Sequence, residues 1–249
     1  MITLLSDRFA PVTSTFGFLR APLDEAANAF LEWRGQLHDS ATATPVQGDF
    51  SELVGRLEPL TAAIRPRELL VATTDPDWTA YFDCGLQGGD PFSSLAHVTS
   101  WRHWQGVVVS AIPHTDGTGL ESPGRYGSVQ FLMLGPVQTD FLNYVRNVGV
   151  THDGHSRWEF VAEGTVQDFE QVEAYTARRV RDRFTTAMLS DYCAALGLRP
   201  FDIDFYGRAG VVVESRIRLD PALEPLSLPL AETQKFLGIV PGVADKVPG

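Results

Sequence analysis

Residues 68–84 read "ELLVATTDPDWTAYFDC", two strand-like runs separated by aspartate, proline and aspartate. Pro76 presets the backbone angle of a turn, and Asp75 and Asp77 beside it accept hydrogen bonds from nearby amides, so the turn has a mechanism. On the second run Trp78, Ala80, Phe82 and Cys84 alternate with Thr79, Tyr81 and Asp83. That pattern predicts one apolar face turned inward and one mixed face. The stretch reads as a β-hairpin, ended by "GLQGGDP" at 85–91. Clustered carboxylates also invite an acid–base or cation-binding reading of Asp75, Asp77, Asp83 and Asp90. The turn accounts for Asp75 and Asp77, and Asp90 stands before Pro91 at a helix start. Asp83 alone is left without a local structural role, which makes it the first candidate catalytic residue.

Upstream, "STFGFLRAP" (14–22) reads as a short strand. Leu23 to Leu37 then carries Ala26, Phe30, Trp33 and Leu37 on one helical stripe, with Asp24 and Glu25 in the first turn to meet the positive end of the helix dipole. Residues 38–48 are small and polar, a loop. Asp49 can cap a second helix running from Phe50 to Ile64, before Pro66.

Downstream, "FSSLAHVTSW" (92–101) predicts a short helix, and "GVVVSAIPHT" (106–115) pairs with "YGSVQFLMLGP" (126–136) as a second hairpin. "NYVRNVGV" and "SRWEFVAEG" flank "THDGH" (151–155) as a third, with Asp153-Gly154 the favoured pair for a tight turn. Thr185 can cap a helix over 186–196 that Gly197 ends. "GVVVESRIRL" (210–219) is the last strand. Strands arriving as consecutive hairpins, with helices between groups of them, argue an α+β protein: an antiparallel sheet, three to four helices and an extended C-terminal tail. We read one domain over 1–219 and a proline-rich tail over 220–249.

The net charge of −11 disfavours nucleic acid and anionic membranes and favours a basic partner. Lysine occurs only at 235 and 246, so the basic charge is almost all arginine. Cys84 and Cys193 form no CxxC spacing, which suggests neither a zinc site nor a disulfide framework. The N-terminus lacks a basic start followed by an apolar run, and no apolar run is long enough to span a bilayer. A cytoplasmic location with reduced thiols is the expectation.

The remaining chemistry is dispersed. His152 and His155 around Asp153 could contribute to a metal site, but no HExxH or third ligand accompanies them, so no metal or other cofactor is expected. "HVTSWRHW" (97–104) supplies Trp101, His103 and Trp104, and His114 follows a strand. Histidine beside aromatics can build a pocket and shuttle protons. Cys84 or Cys193 could each serve as a nucleophile with a distant histidine, although Cys193 lies on the apolar stripe of its helix and reads as core. In "ARRVRDRF" (177–184) Arg179 and Arg183 would share a face if the segment is helical, near Arg178 and Arg181, and could hold an anion or pair with the many carboxylates. No phosphate-binding glycine loop is present.

At "DPDWTAYFDCG" (75–85), "RYGSVQFLMLGP" (125–136) and "RRVRDRFTTAMLSDYCAALGLRPFD" (178–202) the chain resembles a family of actinobacterial acidic α+β proteins, a likeness over roughly residues 65–215. Some acidic proteins of this kind look like immunity proteins beside polymorphic toxins. The resemblance implies an inhibitor of a basic protein and transfers no catalytic residue by position.

Two functions are thus expected. One is an acidic binding protein for a basic partner. The other is a small-molecule-binding domain or enzyme with a pocket lined by Trp78, Tyr81, Phe82, Trp101 and Trp104, with Asp83, His103, His114 and Arg183 as polar groups and Arg179 as a further anion contact. A docking role for the tail "SLPLAETQKFLGIVPG" (227–242) in self-association is a third expectation.

Overall fold

The computed structural model describes residues 1–115, 124–137, 142–155, 157–216 and 225–242. β1 (Thr15–Leu19) leads into α1 (Leu23–Leu37), whose bounds are those the apolar stripe predicts. The polar segment after α1 forms β2 (Ser40–Gln47) rather than a loop. β2 is an edge strand paired on one side only, so its short Ala and Thr side chains carry no apolar alternation to announce it. α2 (Phe50–Gly55) opens on a capping box: the Asp49 carboxylate accepts the Glu52 amide at 2.9 Å, and the Glu52 carboxylate accepts the Asp49 amide at 2.8 Å. The helix stops well short of Ile64. Pro59 cannot continue it, and Leu60–Thr61 become β3 instead.

β4 (Arg67–Thr73) and β5 (Thr79–Asp83) form the expected hairpin, with Leu70 opposite Tyr81. α3 (Pro91–Arg102) follows, then β6 (Gly106–Ile112), β7 (Ser128–Leu134), β8 (Tyr144–His152) and β9 (Trp158–Gly164), an antiparallel meander. The arginine-rich segment is not an α-helix. A 3₁₀ turn at Val172–Thr176 precedes it, and it makes one 3₁₀ turn itself, Val180–Asp182, before Thr185 caps α4 (Thr186–Ala195). Gly197, with φ +81°, ends α4 in the left-handed region as expected. β10 (Tyr206–Arg216) is the last long strand.

The tail residues described are ordered elements of the body. β11 (Ser227–Leu228) pairs with β3, and α5 (Leu230–Phe236) is a fifth helix where none was expected. The Gln234 side-chain amide donates to the carbonyls of Arg8 and Ala10, both at 2.9 Å, and Leu237 and Ile239 pack on Ala10.

Nine strands make one antiparallel sheet in the order β2-β10-β4-β5-β1-β6-β7-β8-β9. Hairpins supply β4–β5 and β6–β9, whereas β1 and β10 arrive from distant parts of the chain and close the gaps. α1 and α3 cover one face, burying Phe30, Leu70, Tyr81, Val108 and Leu132. On the other face α2, α4 and the N-terminal segment enclose Phe16, Phe82, Phe131, Phe184 and Tyr192. Each large apolar side chain buried this way contributes about 1.5–3 kcal/mol.

The mixed face of β5 is therefore as buried as its apolar face, and its polar groups are paired. Thr79 Oγ1 donates to the Ala21 carbonyl at 2.8 Å, and the Tyr81 hydroxyl donates to Glu68 at 2.7 Å. Beyond α3, the helical face of the sheet turns polar, with Gln130, Asn147, Glu159 and Glu163 along β7–β9.

Candidate functional site

The structure scatters most of the expected site residues. Asp83 is fully buried and has a structural task after all. Its Oδ1 accepts the Gly85 amide at 2.9 Å and its Oδ2 the Asp90 amide at 2.8 Å, which pins the 85–90 loop. Arg65 Nε stands 3.1 Å from Oδ1, an ion pair in which the N–H is not aimed well enough to make a hydrogen bond. Burial pushes the Asp83 carboxyl up to about 6, against the opposing pull of Arg65 and the two amides. A carboxyl enclosed in this way meets no substrate.

Trp78 and Tyr81 lie on opposite faces of the sheet, both in core, so the expected aromatic pocket does not form around them. Trp101 and Trp104 are half-buried against the α1–α3 core, and the Arg102 guanidinium covers the Trp101 ring at 3.8 Å. His103 is exposed at the end of α3 with φ +58°, its Nδ1 3.4 Å from the Pro136 carbonyl. With Arg20, Asp77, Trp104 and Gln105 it borders a shallow cleft of about 650 Å³ at the ends of β1, β6 and β7.

Arg179 and Arg183 share no helix face. Arg183 Nε donates to the Ala177 carbonyl at 2.9 Å, and its guanidinium lies 5.8 Å from the Phe160 ring centre. Arg179 is exposed. Both cysteines are buried, and burial pushes both thiols up, opposite to what a nucleophilic thiolate needs. Among the described residues no three His, Cys, Asp or Glu side chains converge as a metal site would require. His152 and His155 diverge: His155 is exposed in the turn, where Asp153 Oδ1 accepts its backbone amide.

His114 is the expected candidate that lands in a built site. It follows β6, and its ring centre lies 4.1 Å from that of His152 at the end of β8, the two planes tilted by 31°. The β8–β9 register sets His152 opposite Trp158, whose indole meets the His114 ring edge-on at 5.9 Å. The Gly127 amide donates to His114 Nδ1 at 3.3 Å and the Gly154 amide to His152 Nδ1 at 3.2 Å, so in each neutral ring Nε2 carries the proton. Gly127 is required there. A Cβ would stand 2.4 Å from Trp158 Cη2 and 2.7 Å from His114 Cβ.

The His114 and Trp158 rings border a cleft of about 390 Å³ between the sheet and the start of α4, with His152 packed behind them. Pro113, Val129 and Val150 give it an apolar floor, and Trp158 and Phe184 give it aromatic walls. Its polar groups come from the arginine-rich segment and the start of α4: Arg181, Asp182, Thr185 and Thr186. The Arg181 guanidinium lies 5.4 Å from the Trp158 ring centre. Thr185 is occupied in capping α4, accepting the Met188 amide at 3.3 Å, and Thr186 accepts the Ile2 amide at 3.2 Å, which holds the N-terminal segment beside the cleft.

The cleft therefore uses Trp158, Phe184, Asp182 and Gly127, none of them singled out in the sequence as site residues. The expected two-residue Asp153-Gly154 turn would set 152 against 155, whereas β8 and β9 pair His152 with Trp158, so the local turn signal did not give this pair. Nothing local links that pair to residues 181–186. No protein-family model, curated protein or solved structure matches this chain.

Proposed function

We propose that this protein binds a small molecule in the His114–Trp158 cleft. The observation that carries the reading is the pairing of an apolar, aromatic-walled floor with ionic and hydroxyl groups converging at its rim. Its volume of about 390 Å³ lies within the range of small-ligand sites. Gly127 supports the same reading, because it is the space left by that glycine that lets Trp158 and His114 stand together as walls. A thermal-shift screen of a metabolite library tests it. Compounds that raise the melting temperature of the wild type should fail with Ala187→Trp, which fills the cleft from an exposed position on its lining. If no compound acts, or if hits act equally on Ala187→Trp, the reading fails.

A second reading, an acidic protein that binds a basic partner as an immunity-type inhibitor would, is supported by Glu159 and Glu163. Both are exposed on the polar face of β9 and make no ion pair among the described residues, on a chain of net charge −11. Reversing both to lysine should abolish salt-sensitive retention of a basic protein from native lysate. Retention unchanged by the reversal would remove the role of this face.

A further inference from the structure

We infer that the cleft takes a zwitterion with an apolar side chain, of the α-amino acid class; the inference rests on the cleft being a ligand site. Arg181 and Asp182 both line it, a cation and an anion consecutive in the chain. Neither makes an ion pair among the described residues. A carboxylate alone would meet Arg181 but also face Asp182, and an amine alone would meet Asp182 but also face Arg181. A ligand with both charges satisfies both.

Both charges sit on the one 3₁₀ turn, Val180–Asp182, that lines the cleft. An α-amino acid, with its ammonium and carboxylate on a single carbon, is the smallest ligand that offers a partner to each. Both rim residues remain partly or fully exposed, so the ligand's charges keep much of their hydration and desolvation costs little. The ligand's side chain would lie over Val129 and Val150 between Trp158 and Phe184, which selects an aromatic or branched apolar group over a polar one. The Thr185 and Thr186 hydroxyls accept from the Met188 and Ile2 amides and keep their O–H groups to donate toward the ligand's carboxylate beside Arg181.

Isothermal titration with L-phenylalanine, 3-phenylpropionate, phenethylamine and glycine tests the inference. Phenylalanine should bind, each single-charge analogue should bind more weakly, by up to about fivefold, as the loss of one exposed ion pair allows, and glycine should give no heat. Arg181→Gln should weaken phenylalanine and leave phenethylamine bound as tightly or more tightly, while Asp182→Asn should weaken phenylalanine and leave 3-phenylpropionate bound as tightly or more tightly. Both positions are on the rim, so neither variant threatens the fold. A single-charge analogue that equals phenylalanine overturns the charge-pair inference and leaves the cleft as a ligand site. So does failure of all four probes when the library screen yields a different compound lost in Ala187→Trp. Failure of the four probes together with an empty screen overturns both.

Discussion

The guanidinium of Arg34, on α1, forks onto the carboxylate of Glu68, on β4, with Nε 2.7 Å from Oε2 and Nη2 2.5 Å from Oε1. Ser94 Oγ lies 3.0 Å from Nη2, and the Tyr81 hydroxyl completes the cluster on Oε1 at 2.7 Å. α1, α3, β4 and β5 thus meet at one buried, fully paired ionic centre between the helices and the sheet.

Removing one partner strands the other. Glu68→Ala should destabilise the fold by about 3–5 kcal/mol, because a guanidinium is left buried without its counter-charge. Arg34→Met with Glu68→Leu should recover part of that loss, since no lone charge remains although the Tyr81 hydroxyl loses its acceptor. Urea denaturation of the three proteins checks both statements, and a double variant no more stable than Glu68→Ala would contradict the second.

Asp83 should impose a pH dependence of its own. Its folded value of about 6 lies above the ordinary 3.8, so between those two values the unfolded chain releases its proton first. Stability then falls as pH rises from about 4 to about 6 and is flat with respect to this group on either side. A shift of about two units corresponds to about 3 kcal/mol. Asp83→Asn cannot ionise, so the difference in stability between wild type and variant should change by that order between pH 4 and pH 7. Parallel pH profiles for the two proteins would rule the linkage out.

Gly127→Ala should damage the cleft before it damages the fold. The new methyl group meets the far end of the Trp158 ring, which can swing, but also His114 Cβ, which is tied to the backbone. Overpacking of this kind costs about 1–3 kcal/mol. Trp158 emission should shift, and any ligand of the cleft should bind more weakly. Unaltered emission and affinity would mean that Trp158 is not held by this glycine.

Both thiols should be silent in the folded protein. Cys84 and Cys193 are fully buried, and Cys84 lies 3.4 Å from the Thr61 hydroxyl. An aromatic disulfide reagent at pH 8 should titrate two thiols at once in denaturant and react in native buffer only as fast as the core opens. Rapid reaction of either thiol in native buffer would contradict the burial.

Much that depends on neighbours in sequence was announced by it, although the stop that Pro59 imposes on α2 was not. The stripe of Ala26, Phe30 and Trp33 gave α1 its bounds, Asp49 and Thr185 capped their helices, and the Asp-Pro-Asp turn joined β4 to β5. The α+β class and the hairpins followed from the same local rules, since propensity, capping and turn chemistry act over a few residues.

Tertiary structure decided the rest, because burial and strand pairing are settled by partners far away in the chain. β2 is a strand because β10 lies beside it, and the tail forms β11 and α5 because β3 and the N-terminal segment receive them. Asp83 looked idle until the fold brought Arg65 and the 85–90 loop to it. The mixed face of β5 was legible only as mixed, and it is buried because α1 and α3 close over it. The cleft is the clearest case: 114, 158 and 181 are distant in sequence, and only the order of β6, β7, β8 and β9, with the 3₁₀ turn at Val180–Asp182 packed against β9, sets them around one space.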